Sequence, residues 1–168
     1  MRILISGGIK SGKSRRALDL ACEHLNAPRF FIATAEAFDS EMKERIKRHR
    51  EERQNLAEGG FHTIEETINL ADAFRQSGNN CILDCIPMWI NNLMYYKKEE
   101  LFPRLLEDMI QSLPQNCIIV TNETGLGNVP FDEMSRRYNL LLAEANRKIA
   151  AVADRVEFMI SGIPLKVK

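Results

Sequence analysis

Residues Gly7 to Ser14 read Gly-Gly-Ile-Lys-Ser-Gly-Lys-Ser, a complete G-x-x-x-x-G-K-[ST] pattern between the apolar run Ile3-Leu4-Ile5 and the helix-like stretch Arg15 to Leu25. Strand, glycine-rich turn and helix in that order describe a phosphate-binding loop. The glycines let backbone N–H groups turn inward toward phosphate oxygens, and the helix presents its positive end to them. On this reading Gly7, Gly8, Ile9, Lys10, Ser11 and Gly12 shape the cradle, Lys13 reaches the β- and γ-phosphates, and the Ser14 hydroxyl ligates Mg²⁺. Such a unit commits the chain to an α/β architecture, since the strand must be buried in a sheet for the loop to be held.

The rest of the chain repeats that alternation. Short apolar runs at Ile3 to Ser6, Phe30 to Ala33, Cys81 to Asp84, Cys117 to Thr121 and Val156 to Ser161 suit strands covered on both faces. Helices are expected over Lys13 to Leu25, Ser40 to Leu56, Ile64 to Gln76, Met88 to Tyr96, Glu99 to Ser112 and Phe131 to Ala153, with breaks at Gly59-Gly60 and Gly78-Asn79-Asn80. The spacing predicts a mostly parallel sheet flanked by helices. With 168 residues and 45% hydrophobic content, the chain is read as one domain over residues 1–168.

Composition narrows the partners. A formal net charge of zero does not suit a protein that grips a nucleic-acid backbone, so nucleotides and small molecules are expected instead. The cysteines, Cys22, Cys81, Cys85 and Cys117, show no C-x-x-C spacing, and the N-terminal apolar run breaks at Gly7; both point to reduced thiols in a cytoplasm. No run approaches the ~18 apolar residues of a membrane span, so no integral membrane segment is expected.

In open α/β sheets ligands sit at the carboxyl ends of the strands. There the second strand ends Ala33-Thr34-Ala35-Glu36 and the third ends Asp84-Cys85. An Asp closing an apolar strand in a phosphate-loop protein is the usual second Mg²⁺-side carboxylate, although a helix cap would also explain it. Asp84 and Ser14 are therefore the metal candidates. The polar, glycine- and proline-containing segment Thr121 to Pro130 adds a shaped loop at the same edge.

Residues Asp39 to Arg53 form a dense charge run. On composition this is a solvated helix face held by i,i+4 pairs. Its apolar residues Met42 and Ile46, however, share a stripe with His49 and Arg53. A lone histidine on such a stripe is as a rule structural. Yet Arg48, Arg50 and Arg53 beside it suit a nucleotide's phosphates, and a neutral imidazole is a competent phosphorus nucleophile.

Taken in order, the Gly7–Ser14 loop, Phe31 to Ala35, Asp39, Glu41-Met42, Arg45-Ile46, His49 and Arg53 resemble the bifunctional adenosylcobinamide kinase / adenosylcobinamide-phosphate guanylyltransferase family. The likeness continues through Leu83-Asp84-Cys85, Trp89, Asn92-Leu93, Thr121-Asn122-Glu123, Arg137, Asn146 and the ending Ser161 to Lys166. It spans nearly the whole chain. The resemblance implies a RecA-like sheet, a homotrimer, and a role in nucleotide loop assembly of cobalamin biosynthesis. It implies that His49 attacks the α-phosphate of GTP, giving a GMP-histidine that passes GMP to adenosylcobinamide phosphate. It also implies phosphorylation of adenosylcobinamide by GTP or ATP. The family's nucleotide-binding positions fall here on Gly7 to Ser14, Ala33, Thr34, Ala35, Arg50, Glu51, Glu52, Arg53, Glu65 and Asp84.

The chain departs from the family pattern at Gln54, Phe61, Pro87 and Leu140. The last two bear on the kinase half more than on the half carried by His49. The readings that compete with the resemblance are a phosphate-loop kinase of another small molecule, with His49 structural, and a non-enzymatic nucleotide-binding module. A regulatory GTPase would carry N-K-x-D and D-x-x-G signatures, and this chain has neither. Trp89, Tyr95 and Tyr96 are aromatic surface for a corrinoid or, on the plainer reading, core.

Overall fold

A computed structural model describes residues 1–37, 40, 43–44, 46–47, 50–51 and 60–168. These form a seven-stranded sheet of β1 (Arg2–Gly7), β2 (Phe30–Ala33), β3 (His62–Glu65), β4 (Asn80–Asp84), β5 (Asn116–Val120), β6 (Arg155–Ile160) and β7 (Ile163–Lys166). The spatial order is β3-β2-β4-β5-β1-β6-β7, and every pairing is parallel except β6 with β7. β5 is inserted between β1, which leads into the phosphate loop, and β4, which ends in Asp84.

The helices are α1 (Lys13–His24), α2 (Leu70–Ser77), α3 (Ile86–Tyr95), α4 (Phe102–Gln111, after a 3-10 turn at Glu99–Leu101) and α5 (Glu133–Val152). Alternation along the strands divides the core in two. Ile3, Ile5, Ile82, Ile118 and Val120 meet Ala17, Leu20 and Ala21 of α1 on one face. Leu4, Leu83, Cys117 and Ile119 meet Phe74, Trp89, Phe102, Met109 and Leu142 on the other, under α2 to α5. Both faces of the central strands are dry, which accounts for their continuous apolar runs.

Two expectations are corrected. The helix expected over Ile64 to Gln76 begins only at Leu70, because His62–Glu65 is a strand pairing β2 at the sheet edge. Its residues are half-buried or exposed, so no apolar run marks it. Trp89 takes the plainer of its two readings, core: it is fully buried, and its Nε1–H donates to the Ile68 carbonyl at 2.8 Å. The helix read as starting at Met88 opens at Ile86, since Pro87 fits the first turn, where its missing N–H has no intrahelical partner to lose. In the segment expected as helix over Ser40 to Leu56, the described residues are helical. His49, Glu52, Arg53 and Gln54 lie outside the described residues.

Candidate active site

The loop after β1 is shaped by backbone that only glycine takes without strain. Gly7 has φ +147°, and a Cβ there would lie 2.6 Å from the Met159 carbonyl oxygen on β6. Gly12 caps α1 in the left-handed region, with φ +94°. No side chain caps α1 and no acidic residue occupies its first turn. Its leading N–H groups are thus left to an anion, the arrangement that phosphate binding uses.

Lys13 turns back over this loop. Its Nζ donates to the Gly8 carbonyl and lies 3.4 Å from the Ser11 hydroxyl. Burial pushes its pKa below the usual lysine value, opposed by the nearby Cys85 and Asp84 charges. A desolvated ammonium held at the cradle is poised for a phosphate, which restores the charge partner that burial removed.

Asp84 closes β4, and its register neighbours are Ala33 on β2 and Val120 on β5. Val120 and Ile5 pack on the α1 face, so Asp84 projects to that side, where the Ser14 hydroxyl donates to its Oδ2 at 3.4 Å. One hydroxyl and one carboxylate form the sparse oxygen set Mg²⁺ takes when substrate phosphates and water complete its octahedron. Among the described residues no group of three or more His, Cys, Asp or Glu side chains could hold a metal alone. The two candidate ligands therefore fit a nucleotide-bound Mg²⁺.

The remaining predicted contacts spread along the same edge. Ala33 is in register with Asp84 on one side and with Glu65 of β3 on the other. Glu65 accepts a hydrogen bond and ion pair from Arg50 Nη2. Glu51 is exposed. β3 stands four inter-strand spacings from β1, about 19 Å, so Arg50 and Glu65 occupy the far end of the edge from the cradle. Thr34 is fully buried, and its hydroxyl both donates to the Cys85 carbonyl and accepts from the Cys85 N–H, each at 2.8 Å. Asn92 of α3 donates to the Thr34 carbonyl at 2.8 Å. Thr34 thus fixes the turn after Asp84, and its hydroxyl is already spent. Ala35 is half-buried beside it.

The loop after β5 is tied to the cradle. Glu123 N–H donates to the Gly7 carbonyl at 3.1 Å, and Asn146 of α5 joins the Thr121 hydroxyl and the Asn122 carbonyl. Of the neighbouring groups on α3 and α5, sequence reasoning named Tyr95 and missed the others. Met88, Asn91, Met94 and Tyr95 face Met134 and Tyr138 across a groove of about 680 Å³. The cluster of methionines around Met88 and Met94 was the available signal. Tyr95 lines this groove, whereas Tyr96 donates its hydroxyl to Glu36 at 2.8 Å. Leu140, at the other departure from the family pattern, is exposed on α5. Cys22, Cys81, Cys85 and Cys117 form no disulfide; buried Cys81 has its thiol pushed up to about 12 by burial, which makes it inert. No helix of the described residues is long and apolar enough to cross a membrane.

A parallel sheet with an inserted strand, a glycine cradle at the N-terminus of α1 and a Ser–Asp pair beside it define a phosphate-loop nucleotide-binding protein. Solved structures agree on the fold. The flagellar accessory protein FlaH of Methanocaldococcus jannaschii superposes with TM-score 0.51 and 16% identity, covering 99% of this chain and 77% of that one. A type III secretion ATPase of pathogenic bacteria gives 0.51 and 14%, covering 94% and 50%. The profile of the cobinamide kinase / cobinamide phosphate guanyltransferase family matches residues 3–167, and the chain belongs to that family. The bifunctional adenosylcobalamin biosynthesis protein CobP of Pseudomonas aeruginosa is 38% identical over 174 residues, covering all of this chain and 98% of the relative. CobU of Salmonella typhimurium is 34% identical over the full length of both chains.

Proposed function

We propose that this chain transfers GMP from GTP to adenosylcobinamide phosphate through a GMP-histidine on His49, and phosphorylates adenosylcobinamide with GTP or ATP. The observation that carries the reading is the convergence of Lys13, Ser14 and Asp84 on an intact cradle in a chain matched by the family from residue 3 to 167. In guanylyl transfer an imidazole nitrogen of His49 bonds to the α-phosphorus while the bond to the β-phosphate oxygen breaks and pyrophosphate leaves. The acceptor's phosphate oxygen then bonds to that phosphorus, the P–N bond breaks, and His49 is restored. The cradle and Lys13 hold the departing phosphates, whose charge grows as the bond breaks. In the kinase step the acceptor hydroxyl oxygen bonds to the γ-phosphorus of a triphosphate held in the same cradle and gives up its proton, while the bond from that phosphorus to the β–γ bridging oxygen breaks and the nucleoside diphosphate leaves. Mg²⁺ on Ser14 and Asp84 would neutralise phosphate charge in both.

Arg50, Glu51, Glu52, Arg53, Ala33, Ala35 and Glu65 are proposed to contact the nucleotide along the strand edge. The same reading carries a single domain, a homotrimer and a cytoplasmic setting; sedimentation gives the mass of the assembly. The central experiment is incubation with GTP labelled at the α-phosphate. An acid-labile, base-stable label on the protein is expected, lost on adding adenosylcobinamide phosphate and absent from His49→Ala. Equal labelling of His49→Ala would overturn the covalent mechanism. A kinase of another small molecule would leave the protein unlabelled and turn over without a corrinoid.

A further inference from the structure

A groove between α3 and α5 is left unused by the nucleotide reading. Met88, Asn91, Met94 and Tyr95 line it from α3, and Met134 and Tyr138 from α5. Both of its walls follow in the chain from elements of the candidate active site. α3 begins at Ile86, directly after Asp84-Cys85, so Met88 and Asn91 stand on its first turns. α5 begins at Glu133, at the end of the loop whose Glu123 N–H is bonded to Gly7. Cys85 joins the two regions in the chain, following Asp84 and standing as the N-cap of α3.

The lining selects its occupant. Among the described residues it holds no Lys or Arg, and its charged member is the carboxylate of Glu99. Those residues offer a second nucleotide no cation for its phosphates. Met134 is 72% exposed and Tyr95 65%, so the walls present apolar surface. Thioethers and an aromatic ring accommodate an irregular, methyl-edged ligand, while the Asn91 amide and the Ser135 hydroxyl offer polar contacts. A corrinoid matches: its rim alternates methyl groups with carboxamide arms, and its alkylated cobalt(III) core is a cation that suits Glu99. A volume of about 680 Å³ takes one edge of such a macrocycle, leaving the rest over Tyr95 and Met134.

We propose that this groove holds the corrinoid acceptor by its arm-bearing edge, with the reactive arm directed past Cys85 toward Asp84 and the cradle. The inference rests on the proposed function. It adds the acceptor's seat and the residues that form it.

The test is equilibrium binding of cobinamide, followed by its visible absorbance. Met134→Glu and Tyr95→Glu change exposed side chains, so folding, checked by the thermal transition, is expected to persist. Each places a carboxylate against the methyl edge and is expected to weaken cobinamide binding roughly tenfold or more. Leu165→Glu on β7, exposed and outside the groove, is expected to bind as wild type does. In Ser135→Cys, cobinamide is expected to protect the new thiol from a maleimide, which decides the matter if either glutamate variant fails to fold. Wild-type protein that binds no corrinoid would sink the proposed function itself. Corrinoid binding that Met134→Glu, Tyr95→Glu and alkylated Ser135→Cys all retain would overturn this inference and leave that function standing. A change in sedimentation without a change in cobinamide affinity would overturn it too, marking the groove as a contact between copies of the chain.

Discussion

The cluster of Arg16, Arg155 and Glu157 is where a single charge should have the largest measurable effect on this fold. Arg16 Nε and Nη2 donate to the two carboxylate oxygens of Glu157 at 2.9 and 3.0 Å, and Arg155 Nη2 also donates to Glu157. The Glu157 side chain is 1% exposed, whereas those of Arg16 and Arg155 are 22% and 28% exposed. Glu157 is in register with Ile5, two residues before Gly7, and Arg16 lies two residues after Ser14. The bidentate pair therefore clamps the start of α1 to the sheet just beneath the cradle. Removing one charge from a buried pair costs about 3–5 kcal/mol. Because both arginines can rotate toward water and glutamine can still accept a hydrogen bond, Glu157→Gln is expected near the lower end, about 2–3 kcal/mol. For a chain of this length that lowers Tm by roughly 5–10 °C. Arg16 hydrogen bonding holds the Glu157 carboxyl below its ordinary value of 4.5. The unfolded chain thus takes up the proton at higher pH than the folded one. The stabilisation is fully present above the ordinary carboxylate value and fades as pH falls through the depressed one. Denaturant titrations of wild type, Glu157→Gln, Arg16→Met and the double variant at neutral and acidic pH give the coupling energy and its pH dependence. A loss below about 0.5 kcal/mol, the range of a surface pair, would refute the reasoning. So would a gap between wild type and Glu157→Gln that does not narrow on acidification.

Gly7→Ala is expected to cost roughly 2 kcal/mol or more, since the added methyl meets the Met159 carbonyl in a backbone region alanine avoids; thermal denaturation measures it. Lys13→Met should abolish triphosphate binding while leaving Tm no lower than wild type, because burial already opposes the ammonium; a clear drop in Tm would contradict that account. Thr34→Val should lose about 1–3 kcal/mol by stranding the Cys85 N–H and carbonyl, whereas Thr34→Ser should restore both stability and nucleotide KM. If Thr34→Val instead changes KM with no loss of stability, the hydroxyl meets the nucleotide and not the turn.

The strands that sequence reading found are those buried on both faces. β1, β2, β4, β5 and most of β6 carry apolar residues in succession because helices cover the sheet twice over. β3 and β7 lie at the two edges, where that rule lapses. His62-Thr63-Ile64-Glu65 has a single apolar residue, and Ile64, Ile68 and Ala71 share a helical spacing, so the strand was absorbed into the helix beyond it. β7 contains Pro164, which an edge strand tolerates and a central one does not, and it is exposed throughout. The cradle, Ser14 and Asp84 were legible because phosphate chemistry demands those residue types at those places. The resemblance implies Thr34 as a nucleotide contact. The reach of its hydroxyl to the Cys85 backbone, 51 positions away, is visible only in the fold. The groove was illegible for the same reason, since its walls come from Met88 to Tyr95 and from Met134 to Tyr138, segments that meet only through the fold.

Register explains how one strand edge can serve reacting atoms at both ends of a triphosphate. Glu65, Ala33, Asp84, Val120, Ile5 and Glu157 follow one another across the sheet, and in parallel strands residues in register project to the same face. On the α1 side this places two carboxylates, Glu65 and Asp84, on either side of the small Ala33. A bulkier residue there would fill the space between them. Near β1 the cradle, Lys13 and Ser14 meet Asp84, a set suited to the β- and γ-phosphates. Near β3 the exposed Arg50–Glu65 pair stands where the nucleoside end would reach. An exposed pair of this kind is worth about 0–1 kcal/mol, so a nucleotide can part it at little cost. The Glu157–Arg16 pair, in the same row but buried under α1, is the opposite case. Burial makes that pair costly to break, and it holds rigid the end of the edge that must fix phosphates. At the other end, where the proposed nucleotide contacts stand, the Arg50–Glu65 pair is exposed and gives way at little cost.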